Sequence, residues 1–357
     1  MDSQYTYMVC TKCLTFNHHA YIEDAMNGFC MQKTNFPFVC VIVDDASTDG
    51  EQEVIKNYFD THFDLSESDE TDDYVMTLGR HKTNENCYFV VLYLKYNHYS
   101  IKKSKDPYFA KWQNNSKYIA LCEGDDYWIA ADKLQKQADA LESHPECSIA
   151  FCTVQMVNVQ KEYLKTTIPT KNDIKKNIVN LEDYTKSEYG CGRWTFHTSS
   201  FFFRHTLYNG VINIRKNEFK NFPYGDMPLL LYCLLQGKGY YVQQLMSCYR
   251  VLSGGYNSYI MAHPDVAIKH QNMLITALND FNHLTNGKYC KWIKFRILRA
   301  EIRILQRRQD FFKTLKFCFW PLYFHGCKND FQLFLYNCSM IYPKIHSAYK
   351  RIKKFLH

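Results

Sequence analysis

The sequence predicts an α/β fold with a mostly parallel central sheet, followed by a helical C-terminal region. Three observations carry this expectation. Apolar runs of strand length alternate with amphipathic segments as far as Cys152. Two of those runs end in clustered acids, where open α/β sheets place their ligands. Beyond Asn257 strand-like runs cease and helical periodicity takes over.

Composition sets the outer limits. A chain of 357 residues, 46% hydrophobic and 22% charged, is globular rather than disordered. It holds no run of 18 apolar residues, so no spanning helix is expected, and its first residues are too polar for a signal peptide. The 15 cysteines are scattered through apolar segments, which points to reduced core thiols in a cytoplasmic protein. The net charge of +7 hides a split: residues 288–357 carry sixteen Lys/Arg and three Asp/Glu, +13 locally, and the rest sums to −6. Such a basic end fits an anionic partner, nucleic acid or membrane surface.

The elements follow in order. Tyr7–Cys10 is the first strand, Leu14–His18 a turn, and Tyr21–Met31 a helix with Ile22, Ala25, Met26 and Phe29 on one face. Cys10 and Cys13 form a lone Cys-x-x-Cys; without a second pair at zinc spacing, core packing is the better reading. Phe38–Val43 is a buried strand ending in Asp44-Asp45-Ala46-Ser47-Thr48-Asp49-Gly50. Ser47 or Thr48 is placed to cap the helix Glu51–Phe59. The polar stretch 60–86 reads as an exposed, partly mobile excursion. Strand 88–94 leads into a basic loop with Lys102, Lys103 and Lys105, which offers phosphate contacts or simply a solvated surface, and then a helix near Pro107–Gln113.

Tyr118–Cys122 is the next buried strand, and Glu123-Gly124-Asp125-Asp126-Tyr127-Trp128 follows it. Carboxylates so close repel one another unless a hard cation or hydrogen-bond donors hold them. An acidic turn capping the helix at Asp132–Gln137 is the plainer reading, but a cap needs neither three acids nor the aromatic pair. Ser148–Cys152 is a further strand. Gly190–Trp194 reads as a turn, and His197–Arg204 as a polar start into an aromatic strand. Asp226 precedes a helix from Leu229 to Gln236 with Pro228 near its first turn, which alone suits an N-cap. In the C-terminal region a helix spans His263–Leu284. In Tyr289–Gln309 an apolar stripe runs through Trp292, Phe295, Leu298, Ile302 and Leu305, with basic residues on the other faces. The aromatic stretch Phe311–Phe324 and the basic tail Lys344–His357 also suit an anionic membrane surface. No Gly-x-Gly-x-x-Gly fingerprint or Walker loop follows the first strand, which counts against dehydrogenases and P-loop NTPases.

Taken together, Leu14-Thr15-Phe16-Asn17-His18, Val43-Asp44-Asp45-Ala46-Ser47-Thr48-Asp49-Gly50 and Tyr118–Trp128, in this order and each at a strand end, resemble bacterial members of glycosyltransferase family 2. The resemblance covers residues 5–152 and continues faintly to 257. It implies a GT-A nucleotide-sugar-binding catalytic domain over 1–257, followed by a basic, amphipathic helical region over 258–357. It further implies metal-dependent, inverting transfer of a hexosyl or N-acetylhexosaminyl group from a nucleoside-diphosphate sugar, expected to be UDP-linked, to a saccharide or lipid-linked saccharide. Surface polysaccharide synthesis (capsule, O-antigen or exopolysaccharide) is the implied setting, with the enzyme cytoplasmic or peripheral on the inner membrane face. Carried over residue by residue, Phe16 packs on the base, and Asn17, Asp44 and Asp45 contact the nucleotide. Glu123, Asp125 and Asp126 occupy the Asp-x-Asp region, with Mg²⁺ or Mn²⁺ on Asp125 and Glu123. Asp226 is the base, and His197, Thr198, Ser199 and Trp128 face the acceptor. Leu252 stands where many relatives have a histidine able to complete the metal shell.

The chemistry is consistent with those residue types. A cation offsets charge on a diphosphate leaving group, and a carboxylate takes the proton of a poorly nucleophilic hydroxyl. Two other classes stand as alternatives: an inactive scaffold in a membrane-associated assembly, and a nucleic-acid-binding protein. The second leaves the strand-end acids unexplained, since they would repel phosphate; no nucleic acid is expected. A nucleotidyltransferase would need a glycine-rich or basic loop after the first strand, which Thr15–His18 does not offer.

Overall fold

The computed structural model describes residues 5–170, 174–187 and 196–308. The aromatic stretch 311–324, the tail 344–357 and the turn 190–194 lie outside them. The chain divides into two compact units: residues 1–180, 195–210 and 232–251 form the first, and 181–194, 211–231 and 252–357 the second.

The first unit carries one twelve-stranded sheet. Its elements begin with β1 (Tyr7–Thr15), α1 (Ile22–Cys30), β2 (Phe38–Asp44), α2 (Glu51–His62), β3 (Phe63–Glu70), β4 (Tyr74–His81) and β5 (Cys87–Leu94). Next come α3 (Asp106–Gln113), β6 (Ser116–Leu121), β7 (Tyr127–Trp128), α4 (Lys133–Ser143), β8 (Cys147–Val157), β9 (Tyr163–Ile168) and β10 (Ile178–Val179). β11 (Phe202–Arg204) and β12 (Lys238–Arg250) complete it. The order is β10-β12-β8-β11-β6-β1-β2-β5-β4-β3, with β7 on β12 and β9 on β8. The central ladders β6–β1–β2–β5 and the β8–β12 ladder are parallel; β11 and the edges are antiparallel. The expected α/β class with a large, mostly parallel sheet is therefore observed.

Every residue of β2 is buried, as its unbroken apolar run requires of a strand covered on both faces. One face of the sheet packs on α1, α2 and α4 through Ile22, Phe29, Ile55, Phe59 and Leu134; the other packs on α3 through Phe109 and Trp112. Cys13 belongs to the first core and Cys10 to the second. Three residues apart on a strand, they point to opposite faces and cannot share a metal. All described cysteines are free thiols.

Three expectations need correction. Residues 60–86 are not an excursion: β3 and β4 form an antiparallel hairpin that extends the sheet beyond β5. Its acids pair with lysines, Glu70 with Lys95, Asp73 with Lys103 and Glu67 with Lys111. The cap of α2 is neither Ser47 nor Thr48. Gly50 takes that place at φ 91°, and Asp49 Oδ1 accepts the Glu51 N–H at 3.1 Å. On α10 (Cys290–Arg307) the buried residues among those described are Ile293, Phe295, Arg296, Ala300, Ile302 and Ile304, so of the expected stripe Phe295 and Ile302 are buried while Trp292, Leu298 and Leu305 are only partly so.

The second unit is helical. It holds α5 (Leu181–Tyr184), parts of α6 (Tyr208–Lys216) and α7 (Asp226–Gln236), then α8 (Tyr256–Ala262), α9 (Pro264–Leu284) and α10. Phe281 of α9 meets Phe219 and Tyr289, with ring centroids 6.0 and 6.2 Å away. No helix among the described residues is long and apolar enough to cross a membrane.

Candidate active site

The parallel register brings three strand ends together. Thr15 at the end of β1 pairs with Asp44 at the end of β2, and Lys12 of β1 pairs with Leu121 at the end of β6. The turn after β1, the acids after β2 and the acids after β6 therefore share one edge of the sheet, as their positions at strand ends predict.

Glu51, the buried first residue of α2, ties the first two turns. One carboxylate oxygen accepts the Thr15 hydroxyl, and the other accepts the His18 N–H and the Ser47 hydroxyl, each at 2.8 Å. Burial pushes the Glu51 carboxyl above its usual range. Asn17 sits at φ 56° and accepts the Thr48 N–H at 2.8 Å, while its own N–H donates to Ser47 Oγ at 2.9 Å. Phe16 beside it is exposed.

The acid turn lies across the end of β1. The Gly124 N–H donates to the Leu14 carbonyl at 3.0 Å. A Cβ on Gly124 would sit 2.1 Å from Thr15 Oγ1, so the approach requires glycine. Glu123, Asp125 and Asp126 each bring one carboxylate oxygen within 4.8 Å of the other two. Asp126 is buried and accepts the Arg250 N–H at 3.0 Å. Burial, and then the charges of Asp125 and Glu123, hold its carboxyl well above the usual range. Among the described residues no hydrogen bond reaches the Asp125 carboxylate; its Oδ2 lies 3.9 Å from His18 Nε2.

Arg250 supports the turn from behind. Its Nε donates to the Asp125 carbonyl at 3.0 Å, and a terminal nitrogen donates to Asp24 Oδ2 at 2.7 Å. Its guanidinium stacks on Tyr21 and Tyr127, 4.6 and 5.2 Å from their centroids. With 1% exposure it is a buried cation, and these contacts are what it has in place of water.

The acids after β2 are arranged otherwise. Asp45 Oδ1 accepts the His98 N–H at 2.7 Å, and Oδ2 accepts the Tyr99 N–H at 3.1 Å and Lys105 Nζ at 2.8 Å. Asp44 Oδ1 accepts the Ser47 N–H at 3.1 Å and Gln52 Nε2 at 2.6 Å. Of the three loop lysines, Lys105 thus binds Asp45 and Lys103 binds Asp73 at 2.7 Å, while Lys102 is exposed at φ 55°.

Two residues expected to face an acceptor do not. Trp128 is 1% exposed, its edge on Phe29 at 4.9 Å and its Nε1 donating to the Ser199 carbonyl at 3.1 Å. Ser199 is buried too and accepts the Ser247 hydroxyl at 2.9 Å. Both belong to the core, because β7 turns Trp128 inward against α1, where Gly28 leaves room for its backbone. Thr198 remains half-exposed. His197 stacks on Tyr249 at 4.2 Å, and its Nδ1 lies 3.6 Å from Asp126 Oδ2 and accepts the Ser199 N–H at 3.3 Å. Burial pushes His197 down to about 4, so the ring is neutral near pH 7.

In the second unit Asp226 opens α7, half-exposed, with Oδ1 accepting the Met227 N–H at 2.8 Å. Burial raises its carboxyl above the usual range, outweighing that hydrogen bond and the Arg215 charge. Glu51, Thr15, His18 and Arg250 were not singled out as site residues from the sequence. Their only signals were a first-turn acid, a short polar turn and a basic residue ending a strand.

The comparisons bear on the fold. No family model matches the chain. Among curated proteins, the uncharacterized proteins Rv1520 of Mycobacterium tuberculosis (strain H37Rv) and Mb1547 of Mycobacterium bovis are each 31% identical over 144 residues, 40% of this chain. The chain spans about a third of the length of these relatives, 34% being aligned. Among solved structures, the mannosyltransferase PcManGT of Pyrobaculum calidifontis, in complex with GDP-Man and Mn²⁺, is similar in fold at 13% identity. That similarity covers 87% of this chain and 76% of that one, with a TM-score of 0.50. Residues 1–349 of S. aureus TarS align at 13% identity over 95% of this chain and 82% of that one, with a TM-score of 0.45.

Proposed function

We propose that this chain is a glycosyltransferase that moves a sugar from a nucleoside-diphosphate donor to a hydroxyl acceptor, with inversion, as in glycosyltransferase family 2. The observation that carries the reading is the acid turn Glu123-Gly124-Asp125-Asp126, its three carboxylates converging at the end of a central parallel strand. Its oxygen donors suit Mg²⁺ or Mn²⁺, and the burial of Asp126 between two other acids leaves a negative site that a divalent cation would relieve. Asp125, Glu123 and Asp126 would hold the ion. Bound there, a cation would offset the charge that develops on the departing diphosphate.

The chain's own residues supply the rest. Exposed Phe16 offers a flat face to the base, and Asn17 fixes the turn that carries it. Asp45 acts on the nucleotide through the loop it braces; of its lysines Lys103 and Lys105 are held by Asp73 and Asp45, so among the described residues Lys102 is the one without an ion pair and the better candidate for phosphate. Asp226 takes the acceptor's proton as the new bond to the anomeric carbon forms and the bond to the phosphate oxygen breaks. Its raised affinity for a proton suits a base. We assign the catalytic region to 1–257 and a role in acceptor or membrane contact to 258–357. A UDP-linked hexose or N-acetylhexosamine donor and a saccharide acceptor in surface polysaccharide synthesis complete the proposal.

A panel of nucleotide sugars assayed with Mn²⁺ for nucleoside diphosphate release tests it. Asp226→Asn should keep donor binding and lose turnover by about 10²-fold or more. The acid limb of the wild-type rate should lie above the ordinary carboxylate range, because the base works only when ionised and its affinity for a proton is raised. Full turnover by Asp226→Asn would remove it as the base; no release from any donor would remove the activity.

A further inference from the structure

We infer that His18 is a ligand of the divalent cation held by the acid turn, through Nε2. The inference rests on the metal reading above and concerns a residue that reading leaves out.

Thr15 has one hydroxyl hydrogen, and it goes to the buried Glu51 carboxylate. The Thr15 oxygen is then an acceptor toward His18 Nδ1, 3.1 Å away. A ring with a single proton therefore carries it on Nδ1 and keeps a lone pair on Nε2. The Glu51 carboxylate also accepts the His18 N–H at 2.8 Å, so the same residue fixes the backbone and, through Thr15, the ring. Metal-binding histidines commonly donate the other ring N–H to a carboxylate, carbonyl or water, and here the Thr15 hydroxyl, itself held by Glu51, takes that acceptor's place.

The atom that carries this lone pair is the one that approaches Asp125. Nε2 lies 3.9 Å from Asp125 Oδ2, too far for a hydrogen bond and within the span of two bonds of about 2.1 Å to one cation. Among the described residues neither Nε2 nor the Asp125 carboxylate has a hydrogen-bond partner. Two acceptors at this separation call for a positive charge between them. Gly124 completes the arrangement, since its missing Cβ would stand 3.1 Å from His18 Nδ1 and would push the ring away.

The other histidine beside these acids is built differently. Nδ1 of His197 lies 3.6 Å from Asp126 but already accepts from Ser199. One histidine is thus committed to the protein and the other presents an open donor. A nitrogen ligand among carboxylates favours first-row transition ions over Mg²⁺, which prefers oxygen. The site should therefore discriminate for Mn²⁺.

The test is Mn²⁺ binding to the full chain, alone and with UDP, followed by the loss of the free-ion EPR signal. Pulsed EPR then reads nitrogen hyperfine modulation of the bound ion. Wild-type protein should show modulation from a directly bound nitrogen, and ¹⁵N-histidine labelling should change its frequencies without any substitution. His18→Gln should lose the modulation and bind Mn²⁺ about 10-fold more weakly, with Mg²⁺ affinity little altered. Asp125-dependent Mn²⁺ binding without histidine modulation, or with modulation that survives in His18→Gln, overturns the inference and leaves the metal reading intact. Mn²⁺ binding that Asp125→Asn does not weaken overturns the metal reading, and this inference with it.

Discussion

Two pairs of acids stand at neighbouring ends of one sheet, and the protein treats them in opposite ways. After β2, Asp45 receives two backbone N–H groups and a lysine, every donor coming from the loop 98–105. After β6, Asp126 receives one backbone N–H, Asp125 receives no hydrogen bond from the described residues, and the carboxylates face one another. The same sequence signature therefore serves two physical purposes. The first is a brace, in which both Asp45 oxygens are satisfied within the fold. The second is a cluster of neighbouring carboxylates, supported from behind by Arg250, whose mutual repulsion a cation would relieve.

Neutralising one acid at each strand end should have opposite consequences. Loss of supporting partners alone costs metal sites about 10–100-fold, so Asp125→Asn should weaken Mn²⁺-dependent nucleotide binding by more than about 100-fold. Its melting temperature should hold or rise, since a like charge leaves the side of buried Asp126. Asp45→Ala should do the reverse. It strands two amides and Lys105, and should cost about 3 kcal/mol in urea unfolding. Amide exchange at His98 and Tyr99 should speed up in the same variant. Equal stability loss in both variants would erase the distinction.

A smaller effect separates how the two turns are held. The Asp45 loop depends on hydrogen bonds, whereas the acid turn depends on close approach. Gly124→Ala puts a methyl group 2.1 Å from Thr15 Oγ1, against the end of a strand that cannot retreat. Overpacking of this kind costs about 1–3 kcal/mol, and here it should also lower Mn²⁺ affinity by moving Asp125. Unchanged melting and unchanged metal affinity would mean that the turn is not seated on β1 as described.

The strand ends were readable because buried parallel strands announce themselves as apolar runs, and the acids after them are local in sequence. The role of Asp45 was not readable, since its donors come from His98, Tyr99 and Lys105 across 53 or more residues. Trp128 was misread for a related reason. Its place beside the acids suggested the site, but the two-residue strand β7 turns it into the core, and no periodicity shows in so short an element. The β3–β4 hairpin was missed because seven of the eight residues of β3 are exposed; pairing with β4, not burial, makes it a strand. Glu51 looked like any first-turn acid, and only the neighbouring turns give it three donors.

The smallest test concerns Asp44, the member of the first pair that the brace does not satisfy. Its Oδ1 has two donors, but Oδ2 is buried without a hydrogen bond among the described residues. Burial raises its carboxyl above the usual range, opposed by Ser47 and Gln52 and assisted by the Asp45 charge. A carboxyl that holds its proton more tightly when folded than when unfolded loses stability as pH rises through the folded value, because the folded state must then ionise a buried group. The difference in unfolding free energy between wild type and Asp44→Asn should therefore be smallest at low pH, grow in favour of the variant as pH rises from the unfolded to the folded value, and level off above it. A difference that does not change with pH would mean that Asp44 is solvated like a surface acid. The pair after β2 would then be as open as the one after β6, and the contrast between brace and cation site would rest on Asp45 alone.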